Sequence, residues 1–441
     1  MRSTSGSVQD FLQKVCKEIR FRSVHAKIGR ELSDHIEDQK DEYIQQGFSE
    51  ETATLMAIEQ MGDPTLIGKP LNKAHQPITE WSILLITALL VLIGGTLQYF
   101  ISQSNATRID AFSYFLHYAP VGLAVFTLMY FFNFTWFVRY SIAIYLVLVS
   151  ITVMGFYMLS AKVNGSYIHV QYLSLLFIPV LAGIIYRYRN KGWLGVIYSY
   201  VYYCIAAYMC IIAPTSSALI LFTISYLTIL TIAVGREVFG KINRYVLPLI
   251  YTFALLVPGL LITTSSYRLA SYRVAKLTAM FNPKIDPLGA GYIQITVRNL
   301  ISSSKPIGAA IFNNVAGSSM AIEEILPSWN TDFSLTYIIA KLGYVPGMAV
   351  IVILFILISR MFSSVLKQKN APAFLVSFAA CLAIAGQIIL YVLTNLGIFM
   401  PMSFNLPFVS YGAYGFITNM ALMGLLLSVY RRTNVVASEL N

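Results

Sequence analysis

Apolar residues gather in ten runs near 80–101, 115–134, 140–160, 170–188, 193–213, 217–235, 245–264, 333–359, 371–399 and 407–430. A bilayer core takes about 20 such residues as a helix, and a helix satisfies its own backbone hydrogen bonds there. The pattern predicts an all-α fold, a polytopic membrane protein with ten transmembrane helices. Before the first run the pattern changes. Phe11, Val15, Ile19 and Phe21 suggest one amphipathic helix, and Ile28, Leu32, Ile36 and Tyr43 a second, on a polar, acidic background. Gly47 closes the second helix. Ser49 stands as N-cap ahead of Glu50 and Glu51, whose charges suit a helix N-terminus. A third helix runs through Leu55, Ala57 and Ile58 to Gly62, and Asp63-Pro64 starts a short turn. Residues 1–76 read as a small cytoplasmic helical domain and 80–432 as the membrane domain, with a linker from Lys73 to Pro77. No short apolar core with a small-residue cleavage site precedes the first span, so no cleavable signal peptide is expected.

The composition, 57% hydrophobic and 12% charged, agrees with this class. Charge adds an orientation. Arg139, then Arg187, Arg189 and Lys191, then Arg236, Lys241 and Arg244, then Arg360, Lys367 and Lys369 fall in alternate links, and Arg431 and Arg432 follow the last span. The opposite short links hold only Arg108 and Lys162. Excess Lys and Arg marks the cytoplasmic side, so both termini are expected inside and the long 265–332 loop outside. The net charge of +11 divides into −2 over residues 1–76 and +13 over the rest. A basic membrane domain suits the anionic headgroups of membrane lipids and calls for no nucleic acid. Cys16, Cys204, Cys210 and Cys381 are scattered, which gives neither a disulfide framework nor a metal spacing.

The 265–332 loop is a polar island between apolar runs, carrying Arg268, Arg273, Lys276, Lys284, Asp286, Arg298, Lys305, Glu323, Glu324 and Asp332. Arg273 and Lys276, at i,i+3, are helix neighbours, and Arg268 lies close in sequence. Such a cluster could hold a pyrophosphate or snorkel to lipid headgroups. Glu324 precedes Asp332 by eight residues, across Pro327. Two carboxylates near a basic patch are equipment for general-base work on a sugar hydroxyl beside a phosphate leaving group; a solvated acidic loop shows the same spacing. Asp332 sits at the lip of the apolar run FSLTYIIAKLGYVPG, where burying a charge is costly and marks a functional candidate.

Five segments then carry a resemblance: FNPKIDPLGAGYIQ (281–294), ILPSWNTDF (325–333) with Glu324 ahead of it, LGYVPG (342–347), TNLGIFMP (394–401), and LPFVSYG (406–412) opening the tenth span. In their order and spacing the chain from 80 to 432 resembles the SEDS proteins, the FtsW/RodA/SpoVE group of bacterial cell-wall polymerases. The resemblance implies a peptidoglycan glycosyltransferase in the bacterial cytoplasmic membrane. It would polymerise lipid II, the undecaprenyl-pyrophosphate-linked disaccharide-peptide, on the outer side, during division, elongation or sporulation. Its partner would be a class B penicillin-binding transpeptidase. On that resemblance Asp332 is the catalytic base and Glu324 assists. Arg268, Arg273, Lys276, Tyr292, Gln294, Ser410, Tyr411 and Gly412 are the candidate substrate-binding residues; the last three either line the cavity or pack helices. No metal-ligand cluster is visible, although a divalent cation could bridge the pyrophosphate to a carboxylate. The head pattern EL–x2–H–x7–Y–x3–GFS–x2–TA, followed by QMGDP and IGKPL, looks like the permease prefix domain, an interaction module.

The chain also departs from the SEDS pattern. NGARRW stands as Asn164-Gly165-Ser166-Tyr167-Ile168-His169, without its arginines and tryptophan. Q-P-D-x-G-T reads Ala213-Pro214-Thr215-Ser216-Ser217-Ala218, and G-E-E-L-G reads Ile339-Ala340-Lys341-Leu342-Gly343. His169 is a ligand or a plain interfacial residue. Lys341, nine residues after Asp332, is too far along one helix for a direct pair; it either neutralises another acid or lines the cavity. Two other functions remain open, a flippase-type transporter of a lipid-linked substrate and a catalytically degenerate scaffold. A transporter predicts ionisable residues at midplane in several spans, and Lys341 alone offers one. The lost arginines favour a scaffold; the retained Asp332 and Glu324 oppose it.

Overall fold

The computed structural model describes residues 2–103, 110–158, 167–242, 248, 250–252, 275, 278–310, 312–313 and 319–433. Most of the expected seventh span, 245–264, lies outside these residues, as do Arg268, Arg273, Lys276, Arg108, Lys162, Arg244 and Asn164 to Ser166. The chain forms two compact units, Met1–Thr79 with Tyr430–Asn441, and Glu80–Val429.

Among its described residues the smaller unit holds the α-helices α1 (Arg2–Glu18), α2 (His25–Gln45), α3 (Glu50–Met61) and α4 (Pro64–His75). Their core is Phe11, Val15, Ile19, Val24, Ile28, Ile36 and Ala57, with Phe21, Leu32, Tyr43 and Ile58 packed against it. The expected apolar stripes of α1 and α2 are therefore the faces that meet. Ser49 caps α3, its hydroxyl accepting from the Thr52 N–H at 3.4 Å. Gly47 (φ 97°) and Gly62 (φ 82°) end their helices in the left-handed region that a side chain disfavours. Asp63 accepts from the Thr65 N–H at 2.8 Å. The segment it opens is longer than the expected short turn, because Asp63 and Pro64 together make a good start for the twelve-residue α4. His25 packs, its Nε2 bonded to the Ile19 carbonyl at 2.8 Å, and His35 is exposed.

Among the described residues of the larger unit, nine helices are long and apolar enough to cross a membrane. They are α5 (Trp81–Gln103), α6 (Ala111–Phe131), α8 (Ser141–Met158), α9 (Ile168–Arg187), α10 (Gly192–Ile212), α11 (Ser216–Gly235), α15 (Tyr344–Leu366), α16 (Ala371–Asn395) and α17 (Ala413–Arg431). Between them lie the shorter α7 (Phe134–Arg139), α12 (Tyr292–Ser302), α13 (Ile322–Ile325) and α14 (Ser334–Leu342). A two-residue antiparallel pair, Phe312–Asn313 with Ser319–Met320, is the one strand pairing among the described residues. The chain is thus an all-α, multi-pass membrane protein. α9, α16 and α17 are buried along most of their length, whereas α6 and α8 keep most of theirs exposed. α9 packs against α8, α10, α11 and α16, so α9 and α16 form the centre and α6 and α8 present lipid-facing surface.

Two expected boundaries change. The run 333–359 is two helices, α14 and α15, broken at Gly343 (φ 107°). A Cβ there would lie 2.5 Å from the Pro306 carbonyl oxygen, so only glycine allows the chain to turn beside that strand of backbone. The last span opens at Ala413 and not at Pro407. LPFVSYG is therefore a non-helical approach to it, with Phe408 (φ 68°) and Gly412 (φ 141°) in the left-handed region.

Candidate active site

Asp332 lies in the turn between α13 and α14, outside every membrane-spanning helix. Its side chain is half-buried and, among the described residues, takes no hydrogen bond or ion pair. Burial pushes its carboxyl up to about 7, because an ionised oxygen surrounded by protein loses hydration that no partner replaces. The hydroxyl-bearing rings of Tyr172 on α9 and Tyr391 on α16 are close enough to feel its charge.

The backbone around Asp332 is fixed by α16. Asn395 donates from Nδ2 to the Asp332 carbonyl at 2.9 Å and to the Tyr391 carbonyl at 3.0 Å. Its Oδ1 accepts from the Thr336 N–H and Oγ1, both at 3.0 Å. The Tyr391 hydroxyl accepts from the Leu335 N–H at 3.0 Å and bonds Ser334 Oγ at 2.8 Å. Ser334 Oγ in turn meets Ser410 Oγ, which accepts from the Leu406 N–H at 2.9 Å. Tyr411 donates its N–H to the Asn330 carbonyl at 3.2 Å. The SYG residues are thereby tied to the turn that carries Asp332.

The non-helical 405–412 segment has its polar backbone groups met by side chains. The Gln387 amide donates to the Asn405 carbonyl at 2.9 Å, and Gln98 donates to the Val409 carbonyl at 3.2 Å. Asn405 Nδ2 donates to the Tyr411 carbonyl at 2.7 Å, and the Asn405 N–H donates to the Tyr172 hydroxyl at 3.3 Å. Irregular backbone within a membrane protein persists where neighbours satisfy it in this way. Gly412 is required for space as well as for φ, since a Cβ would sit 2.4 Å from Asn405 Nδ2. The Tyr411 ring stands edge-on to Tyr114 and Tyr118 of α6, with centroids 6.2 and 6.4 Å away.

Glu324 is exposed and has no partner among the described residues. The acid held in place is its neighbour Glu323, whose Oε1 accepts from Lys341 Nζ at 3.2 Å and from the Tyr337 hydroxyl at 3.0 Å. Burial raises the Glu323 carboxyl, but its own backbone N–H, Lys341 and Tyr337 outweigh that and hold it below the usual carboxylate range. Lys341 thus neutralises another acid, as one of its two sequence readings had it.

In the FNPKIDPLGAGYIQ segment, Asp286 accepts from the Gly289 and Ala290 N–H groups at 3.0 and 2.8 Å, closing a tight turn before α12. Tyr292 is exposed and its hydroxyl reaches the Ile325 carbonyl at 3.4 Å. Gln294 is buried. It donates to the Gly397 carbonyl at 3.1 Å, which also takes the Arg298 Nε–H at 2.8 Å. Gln294, expected to bind substrate, is buried on α12 with its amide nitrogen turned to a structural turn at the end of α16. His169 is buried edge-on to Phe156 and Tyr167, and a Cβ on Gly155 would lie 2.5 Å from its Nε2. It packs α9 against α8. No group of three metal-ligating side chains occurs among the described residues.

Sequence reasoning passed over Tyr172, Ser334, Gln387, Tyr391 and Asn395. One signal was available: Gln387, Tyr391 and Asn395 recur every fourth residue on the otherwise apolar α16, which places them on one ridge.

The fold and the site define a multi-pass α-helical membrane protein with an uncapped carboxylate held at the meeting point of two broken helical segments. A family model described as a cell cycle protein, FtsW/RodA/SpoVE, matches residues 75–435, and the chain belongs to that family. It is similar to a probable peptidoglycan glycosyltransferase FtsW of Borreliella burgdorferi, 29% identical over 183 residues, which cover 41% of this chain and 48% of that protein. It is similar also to the stage V sporulation protein E of Bacillus subtilis, 29% identical over 167 residues, covering 37% of this chain and 43% of that one. The matched stretch thus spans about half the length of these relatives or less. A chain from a peptidoglycan synthase complex studied for its coordination of polymerization and crosslinking superposes with a TM-score of 0.61 at 16% identity, covering 80% of this chain and 98% of that one. The rod shape determining protein RodA of Thermus thermophilus gives 0.53 at 12% identity, covering 80% and 97%. These two likenesses establish a shared fold.

Proposed function

We propose that this protein is a peptidoglycan glycosyltransferase that polymerises lipid II on the outer side of the bacterial cytoplasmic membrane, with both termini inside. Its partner on this reading is a class B penicillin-binding transpeptidase, and anionic membrane lipids surround its basic rim. The observation that carries the proposal is Asp332: a carboxyl with no partner among the described residues, pushed up to about 7 by burial, in a turn fixed on both sides. A general base works best when its pKa lies near the working pH. Asp332 takes the proton of the acceptor sugar's 4-hydroxyl while that oxygen forms a bond to the donor's anomeric carbon. The bond from that carbon to the pyrophosphate oxygen breaks, and the lipid pyrophosphate leaves with the electron pair. Arg268, Arg273 and Lys276 are the cations assigned to the leaving group, and Tyr292, Ser410, Tyr411 and Gly412 line or shape the substrate cavity. Glu324 is assigned to orienting the acceptor. A divalent cation bridging the pyrophosphate to a carboxylate would add positive charge on the leaving-group side of the site.

Polymerisation of purified lipid II by the full chain with a partner transpeptidase, with and without Asp332→Ala, tests this. Glycan polymer from the wild type and none from the variant is the expected result. A wild type that makes no polymer with any class B partner overturns the enzyme reading and leaves the scaffold one. Transfer of labelled lipid II across proteoliposome membranes, unaffected by Asp332→Ala, would make the protein a transporter instead.

A further inference from the structure

The first backbone N–H groups of a helix have no partner within it and are usually met by the side chain of the residue just before. α14 begins two residues after Asp332, and its N-cap, Phe333, supplies no such bond. Two side chains from another helix do so. The Tyr391 hydroxyl takes the Leu335 N–H, and Asn395 Oδ1 takes the Thr336 N–H. Asn395 is fully buried and both ends of its side-chain amide are engaged: Oδ1 takes the Thr336 N–H, the Thr336 hydroxyl is shared between Oδ1 and the Asn395 carbonyl, and Nδ2 donates to the Asp332 and Tyr391 carbonyls. One turn back along α16, the Tyr391 hydroxyl leads through Ser334 to Ser410. A further turn back, Gln387 holds the Asn405 carbonyl.

We infer that Asn395 is the positioning residue for Asp332, and that the ridge Gln387–Tyr391–Asn395 is the template on which the Asp332 turn and the 405–412 segment are aligned. Each segment has a single turn of backbone bonds of its own, from Thr331 and Phe333 to the Ser328 carbonyl and from Val409 and Ser410 to the Leu406 carbonyl, and α16 is among the most buried of the described helices. A rigid core helix therefore sets where the carboxylate stands. Asn395 does not touch the reacting atoms on this inference; it acts through the Asp332 main chain. The inference rests on the proposed glycosyl transfer only for its kinetic arm.

The test uses the full chain in nanodiscs with its partner transpeptidase, comparing wild type, Asn395→Asp, Thr336→Val and the control Ser359→Ala. Asn395→Asp keeps the acceptor facing Thr336 and replaces the donor that holds the Asp332 carbonyl. Two readouts are taken: kcat and KM for lipid II polymerisation, and the pH midpoint for carbodiimide labelling of Asp332, read by mass spectrometry. Asn395→Asp is expected to lower kcat by about a hundredfold, the scale of a misplaced catalytic group, with KM within about twofold and a displaced labelling midpoint. Thr336→Val is expected to change both in the same direction and less, and it carries the test if Asn395→Asp does not fold. Ser359→Ala leaves both unchanged. A folded Asn395→Asp with wild-type kcat and an unmoved labelling midpoint overturns the inference. So does a loss in which KM rises with kcat constant. If the wild type polymerises nothing but the labelling midpoint moves in the Asn395 variant, the positioning role stands and the proposed function falls.

Discussion

Lys341 Nζ lies 3.2 Å from Glu323 Oε1, joining α14 to α13 across the turn that contains Asp332. The pair is asymmetric. The Glu323 side chain is 5% exposed and the Lys341 side chain 44%. The lysine that follows Asp332 on the next helix therefore leaves that carboxylate alone and clasps the entrance to its turn.

Removing either partner of this clasp has unequal effects. Lys341→Met leaves a buried acid with Tyr337 as its remaining side-chain donor, and should cost about 2 kcal/mol. Glu323→Gln retains a bond to Tyr337 and leaves a cation that water can solvate, so it should cost less than about 1 kcal/mol. Thermal unfolding of the purified variants in detergent checks the order. The Glu323 contribution is present above the ordinary carboxylate range and is lost as pH falls through its lowered folded value, so the difference should close in acid.

Asp332 has the opposite sign. Burial pushes its folded pKa up to about 7, above the ordinary value of 3.8. Stability linked to it is fully present below pH 3.8, falls as pH rises toward 7, and is level above that. Asp332→Asn should therefore unfold at a higher temperature than wild type at pH 8 and at the same temperature near pH 4. The rate of glycan synthesis should run the other way, rising through pH 7 as the base ionises and flattening beyond it. A rate that is flat from pH 5 to pH 8 would remove Asp332 from the base role.

Gly343→Ala and Gly412→Ala should both be harmful, for different reasons at the same kind of position. The first meets a backbone carbonyl at 2.5 Å and the second a side-chain amide at 2.4 Å. Backbone cannot yield as a side chain can, so Gly343→Ala is expected to lose more than about 2 kcal/mol. Gly412→Ala is expected to keep more of its stability and lose glycan synthesis, because displacing Asn405 disturbs the Tyr411 carbonyl it holds. Melting temperature and polymer yield, measured together, separate the two outcomes.

Some of this was legible in the chain alone. The apolar runs mark the spans because a bilayer demands length and hydropathy that are local properties. Ser49, Asp63, Gly47 and Gly62 announce the helix ends of the head because caps are local too. Asp332 stood out as a charge beside an apolar run. The break at Gly343 was hidden, since the apolar run resumes past Lys341 and the cause is the Pro306 carbonyl, nearly forty residues earlier. Glu323 and Glu324 could not be told apart by spacing either, because which of two adjacent acids meets Lys341 depends on how a four-residue helix is rotated.

What the sequence by itself determined was the class of molecule, its spans, its head and the acid worth watching. The tertiary structure alone decided what surrounds that acid. Asp332 is held by Asn395, 63 positions away, and the SYG segment by Gln98, 311 positions from its bond partner. Hydropathy and capping act between neighbours along the chain, whereas the turn that carries Asp332 is placed by hydrogen bonds that exist only once distant helices have packed.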